Sequence, residues 1–139
     1  MLDRCINFPH SIGLLYSAIT GYLGFDVNDA EYKVMGLASY GNPERYLPLM
    51  RKLLTQAEDG SFALDTKYFS FTSEEKMHTD EMEKLFGLPA RKKESAVAKE
   101  HMDIAAALQA ITEEAVLKIL RHLHEITGSE NLCIAGGLR

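Results

Sequence analysis

Apolar residues recur at helical spacing from residue 12 to residue 23. Leu15, Ile19 and Tyr22 fall at steps of four and three, with Leu14, Ala18 and Leu23 beside them. That stripe predicts an amphipathic helix with Ser11 or His10 near its cap and Gly24 as its stop. Residues 26–29 read as a turn, and residues 30–38 as a second, short helix in which Gly36 costs about 1 kcal/mol relative to alanine. Gly41-Asn42-Pro43 breaks the pattern, and Pro43 suits the first turn of a third helix running to about Leu54. Residues 58–61 read as a turn, around which Phe62, Leu64, Tyr68, Phe69 and Phe71 predict a small hairpin or extended ribbon. Thr79 is placed to cap a short helix through Phe86, stopped by Gly87. Residues 89–99 are polar and basic and read as an exposed connection.

Residues 100–127 carry the strongest signal. Ile104, Leu108, Ile111, Ala115, Ile119 and Leu123 fall at steps of 4, 3, 4, 4 and 4, with a second row at Ala105, Thr112, Val116 and Leu120. This predicts a long helix with a broad apolar face, closed by Gly128. Residues 131–135 form an apolar run suited to a buried strand, ending at Gly136-Gly137. A buried strand needs neighbours on both sides, and the chain offers no other clear core strand. Helix, strand and glycine turn therefore read as the opening of a βα unit, and the chain as a fragment. An isolated fragment of this kind is expected to leave the long helix partly uncovered, and so to be of low stability or to self-associate.

Composition changes this picture little. The chain has 139 residues, 46% apolar and 25% charged, in the range of a globular protein. Its formal charge of −5 argues against a nucleic-acid partner, which needs a basic stripe. No apolar run approaches the roughly 20 residues that cross a bilayer, so no membrane role is expected. Cys5 and Cys133 lie at opposite ends, read as small core residues, and fit a reducing, cytoplasmic compartment.

The candidate chemistry is local. Glycine at Gly136 and Gly137 lets backbone amides approach a phosphate or ribose, although a tight turn is the simpler local account of the pair. Glu31 and Lys33 flank an aromatic ahead of Gly36, and such a lysine can pair with phosphate; two exposed helix residues are the simpler account. His10 and Ser11 are placed to orient a hydroxyl or phosphate at a helix start, where Ser11 also caps well. His122 and His124 are two apart and point to different helix faces, while His78 and His101 have no partner at ligand spacing. No metal is therefore expected within the chain. The sequence contains no HExxH, Walker-type or GxSxG motif, and its catalytic residues are unknown.

Four segments together resemble the carbamoyltransferases of the nodulation-factor and antibiotic-biosynthesis type. FPHSIGLLYSAITGYLGF (residues 8–25) is similar to that family's proline-histidine-serine helix. EYKVMGLASYGNP (residues 31–43) is the most specific match, departing at Ser39, where a proline is common. HMDIAAALQAITEEAVLKILRHL (residues 101–123) resembles the family's long helix, and NLCIAGG (residues 131–137) its strand and glycine turn. The resemblance implies a fold that is mainly α with a small β component, a fragment of an α/β actin-like ATPase (ribonuclease H-like) domain, similar to the tRNA threonylcarbamoyladenosine-forming family. It implies ATP with a divalent metal, and transfer of carbamoyl from carbamoyl phosphate through carbamoyl-adenylate to a hydroxyl acceptor on a sugar or natural product. His10, Ser11, Glu31, Lys33, Gly36, Gly136 and Gly137 would then face the nucleotide. The family's nucleotide-contacting asparagine, which follows the double glycine, is absent here. Its iron-type metal site lies outside these residues, with a histidine pair upstream and an aspartate downstream. The remainder of its own polypeptide is the partner this implies, and the isolated chain is expected to be inactive. Two other readings stay open: a helical interaction module, and an actin-fold kinase relative.

Overall fold

Ser11 sits in extended backbone (φ −145°, ψ 130°) and its Oγ accepts from the Leu14 amide at 3.3 Å, starting helix α1 (Ile12–Tyr22). The stripe of α1 is buried as its spacing predicts, with Leu15, Ala18, Ile19 and Tyr22 fully enclosed. The computed structural model describes residues 5–72 and 76–136. Among them follow α2 (Glu31–Ala38), α3 (Leu47–Leu53), strands β1 (Leu54–Gln56) and β2 (Phe62–Leu64), α4 (Asp80–Phe86) and α5 (Lys99–Thr127). The molecule is mainly α with one small sheet, as expected.

Helix α5 is the spine, and α1, α2 and α3 pack along it. Its N-terminal half buries Ile104, Ala105, Leu108, Ile111 and Ala115 against Leu15, Ile19, Val34, Met50 and Leu53. Its start is held by side chains. The His101 ring accepts at Nδ1 from the Ala98 amide at 2.9 Å, and Asp103 accepts from the Asn42 amide at 2.7 Å and from Lys99 at 3.0 Å. Gly41 lets α2 close on α5: a Cβ there would lie 2.0 Å from the Met102 carbonyl oxygen.

Several expectations need correcting. The third helix begins at Leu47, not Pro43; Pro43 instead opens a turn whose carbonyl accepts from Leu47 N at 2.8 Å. Its end at Leu53 falls where expected, because the next residues pair antiparallel with β2, Leu54 opposite Leu64 and Gln56 opposite Phe62. The hairpin turn at residues 58–61 is present, with the Asp59 carboxylate accepting from the Ser61 amide at 2.9 Å. Tyr68 lies in a single 3-10 turn (Thr66–Tyr68), while Phe69 bridges to His78 and stacks on Phe71. Helix α4 and its Gly87 stop fall where predicted, but the Thr79 hydroxyl donates to the Lys67 carbonyl at 2.6 Å instead of capping. Residues 92–99 are exposed, yet Arg91 is anchored: it lies 4.8 Å from the Phe25 ring and donates to the Leu23 carbonyl.

The largest departure is at the C-terminal end. Residues 131–135 form no strand and are exposed, because among the described residues no strand lies beside them to satisfy their backbone. Cys133 is exposed with them, and so is Cys5, so neither is a core residue. The apolar face of α5 is partly uncovered in its second half, where Leu123 and Ile126 are exposed.

Candidate functional site

A cleft of about 710 Å³ opens where four parts of the chain meet. The start of α1 contributes Ser11, Gly13, Leu14, Tyr16 and Ser17. Asn28 and the first turns of α2 contribute Glu31 and Met35. The middle of α5 supplies Gln109 and Thr112, and the terminal segment closes one side with Ala135 and Gly136. The volume is within the range of small-molecule sites, which combine apolar walls with a few placed polar groups.

Glu31 organises one wall. Its Oε1 accepts from the Asn28 amide at 2.8 Å and from the Ser17 hydroxyl at 3.2 Å, tying α2 to α1. Tyr16 reaches across the cleft to α5, donating to Gln109 Oε1 at 3.2 Å; Gln109 in turn donates to Glu113 at 3.0 Å. Burial, and then the nearby Glu31 carboxylate, push the Tyr16 phenol up to about 12, so it is a hydrogen-bond donor at neutral pH and no base.

The structure brings Ser11, Glu31 and Gly136 to this one cleft and leaves three other candidates outside its lining. His10 is drawn to the hairpin, its Nδ1 accepting from the Leu64 amide at 3.0 Å. Lys33 is exposed, with its ammonium 5.9 Å from the centre of the Tyr32 ring. Gly36 lies on the outer face of α2, with no atom within 4 Å of where a Cβ would stand. Gly137 lies outside the described residues. Tyr16, Ser17, Asn28, Met35, Gln109 and Thr112 were not candidates from sequence. The signal that could have found Gln109 is a long polar side chain next to the buried stripe of a helix. Among the described residues, no three His, Cys, Asp or Glu side chains are arranged to hold a metal ion.

Helices packed along α5 with a polar-lipped cleft between them define the class of unit, and comparison with known proteins gives its family. The model of the Carbamoyltransferase N-terminus family matches residues 1–139, so the chain belongs to that family. It is 47% identical over 133 residues to "Uncharacterized protein sll1178" of Synechocystis, covering 96% of this chain and 22% of that one. It is 33% identical over 142 residues to "Nodulation protein NolO" of Bradyrhizobium diazoefficiens, covering 99% of this chain and 23% of the relative. To "Nodulation protein NolNO" of Sinorhizobium fredii it is 35% identical over 134 residues, 95% and 18% of the two chains. The chain thus spans about a fifth of the length of these relatives. No helix among the described residues is long and apolar enough to cross a membrane.

Proposed function

We propose that this chain is the nucleotide-facing part of an ATP-dependent O-carbamoyltransferase. The whole enzyme would move carbamoyl from carbamoyl phosphate, through carbamoyl-adenylate, to a hydroxyl of a sugar or natural product in the cytoplasm. The observation that carries the reading is the convergence of Ser11, Glu31 and Gly136, remote in sequence, on one cleft. Family membership over the whole chain supports the transferase class. The actin-like ATPase fold is part of the proposal, with these helices as one portion of that larger α/β domain.

The described residues do not offer the donor set of an iron-type site, so no step is assigned to a metal held by them. ATP would enter with its own divalent ion, and the remainder of the polypeptide would supply the metal centre and the acceptor pocket. This chain's own part is to bind and orient. Ser11 and Gly136 present small polar and backbone groups, Glu31 accepts hydrogen bonds, and Leu14 and Met35 give apolar surface. Calorimetric titration of ATP into the purified chain tests the reading, with saturable binding expected. Absence of saturable heat, and of ligand-dependent NMR shifts at cleft residues up to millimolar ATP, would overturn it. The chain with ATP, magnesium and carbamoyl phosphate is expected to release no AMP.

A further inference from the structure

A second cavity, of about 350 Å³, shares a wall with the large cleft, and we infer that it is a separate binding site for a small neutral ring compound with a hydroxyl on its edge. The inference does not rest on the nucleotide reading. The apolar side of the cavity comes from Leu14, Val27, Phe71 and Met77. Phe8 lines it as well and is 73% exposed, held edge-on to Phe71 with ring centres 5.5 Å apart. Phe71 in turn stacks on the buried Phe69 at 5.9 Å. The row of rings is therefore rooted in the core at Phe69 and open at Phe8, which offers a flat apolar group an aromatic face. The volume lies at the lower end of the range for small-molecule sites, enough for one or two rings.

The lining also decides the charge of the ligand. Among the described residues that form it there is no aspartate, glutamate, lysine, arginine or histidine. A carboxylate or an ammonium seated there would lose its hydration and find no opposite charge in the wall. Two neutral polar groups stand in the wall common to both cavities, Ser17 and Asn28. The Ser17 hydroxyl and the Asn28 backbone amide both donate to Glu31 Oε1. Their remaining capacity is open: no described residue donates to Ser17 Oγ, and none hydrogen-bonds the Asn28 carboxamide. A carboxamide both donates and accepts, and a hydroxyl oxygen accepts. A ligand hydroxyl, itself donor and acceptor, satisfies them. Asn28 holds this place with a left-handed backbone (φ 65°), which asparagine adopts more readily than most residues.

The experiment follows amide and side-chain NMR shifts of the purified chain during titration with benzyl alcohol, toluene, benzoate and benzylamine. Benzyl alcohol is expected to give saturable millimolar binding with shifts at Phe8, Asn28, Phe71 and Met77. Toluene, which lacks the hydroxyl, is expected to bind about threefold or more weakly, and the two charged compounds at least about tenfold more weakly. Phe8→Ala removes an exposed ring at no cost to the core, and should weaken benzyl alcohol at least about fivefold. Asn28→Gly keeps the left-handed backbone and its amide, and should abolish the preference for benzyl alcohol over toluene. Shifts confined to Tyr16, Gln109 and the rest of the large cleft, unchanged binding by F8A, or no saturation with any of the four compounds would overturn the site. Benzoate or benzylamine binding as tightly as benzyl alcohol would overturn the neutral ligand class, and neither arm depends on how a variant folds.

Discussion

Two glycines five residues apart illustrate how little residue type says without its surroundings. Gly36 faces open space, and Gly41 stands where a Cβ would come within 2.3 Å of the Met102 carbonyl carbon and 2.8 Å of the Asp103 nitrogen. Those atoms are helix backbone and cannot rotate aside. Gly41→Ala is therefore expected to destabilise the chain by at least about 1–3 kcal/mol, as overpacking does. Gly36→Ala is expected to be neutral or to stabilise by up to about 1 kcal/mol through helix propensity alone. Urea unfolding of both variants checks the pair; equal losses would mean that α2 does not approach α5 in this way. If Gly36→Ala weakens ligand binding while raising stability, that glycine serves a partner or ligand on the outer face of α2.

At the scale of elements, pH should act at the N-terminal end of α5 and at His78 just before α4. Burial, and then the neighbouring Arg91 charge, lower the affinity of His101 for a proton, consistent with a neutral ring whose Nδ1 accepts from Ala98. Burial also depresses His78, which packs edge-on against Tyr22, 3.7 Å from Glu83, with neither ring nitrogen hydrogen-bonded. The Asn42 amide and then Lys99 hold Asp103 below the usual carboxylate range. All three groups bind protons less readily folded than unfolded, so each contributes stability above its unfolded pKa that is lost as pH falls. The histidine part should fade below about pH 6.5 and the Asp103 part below about pH 3.9. Unfolding free energy is expected to fall between pH 7 and pH 5, and His78→Leu to flatten that slope; a flat wild-type profile over this range would contradict the assignment. This region also shows what sequence can and cannot tell. The stripe from Ile104 to Ala115 was legible because helical periodicity is local. The strand at Leu54–Gln56 was not, since it is decided by pairing with residues six to ten positions away. In the cleft, Ser11 stood out as a helix-start residue and Glu31 as the acid beside Tyr32 and Lys33. Tyr16 and Gln109 did not, because their meeting depends on how two helices are rotated against each other.

At the scale of the whole molecule, the stripe of α5 outruns the core beneath it. Burial ends at Ala115, yet the same face continues through Ile119, Leu123 and Ile126, and the last two are 36% and 49% exposed. Leu132 and Ile134 add apolar surface just beyond the helix. Each leucine or isoleucine left in water forgoes about 1.5–3 kcal/mol of burial, and a few such positions rival the whole margin of about 5–15 kcal/mol that keeps a domain folded. A contiguous exposed apolar strip also favours contact with a second copy of itself. Sedimentation of the purified chain is therefore expected to depend on concentration, and its melt to be broad or to shift with concentration. Replacing Leu123 and Ile126 with glutamate should make it monomeric at little cost to folding, because neither side chain is enclosed by the core. A wild-type chain that stays monomeric, with a sharp and concentration-independent transition, would mean that the buried half of α5 suffices by itself, and the uncovered half would then need no partner to explain it.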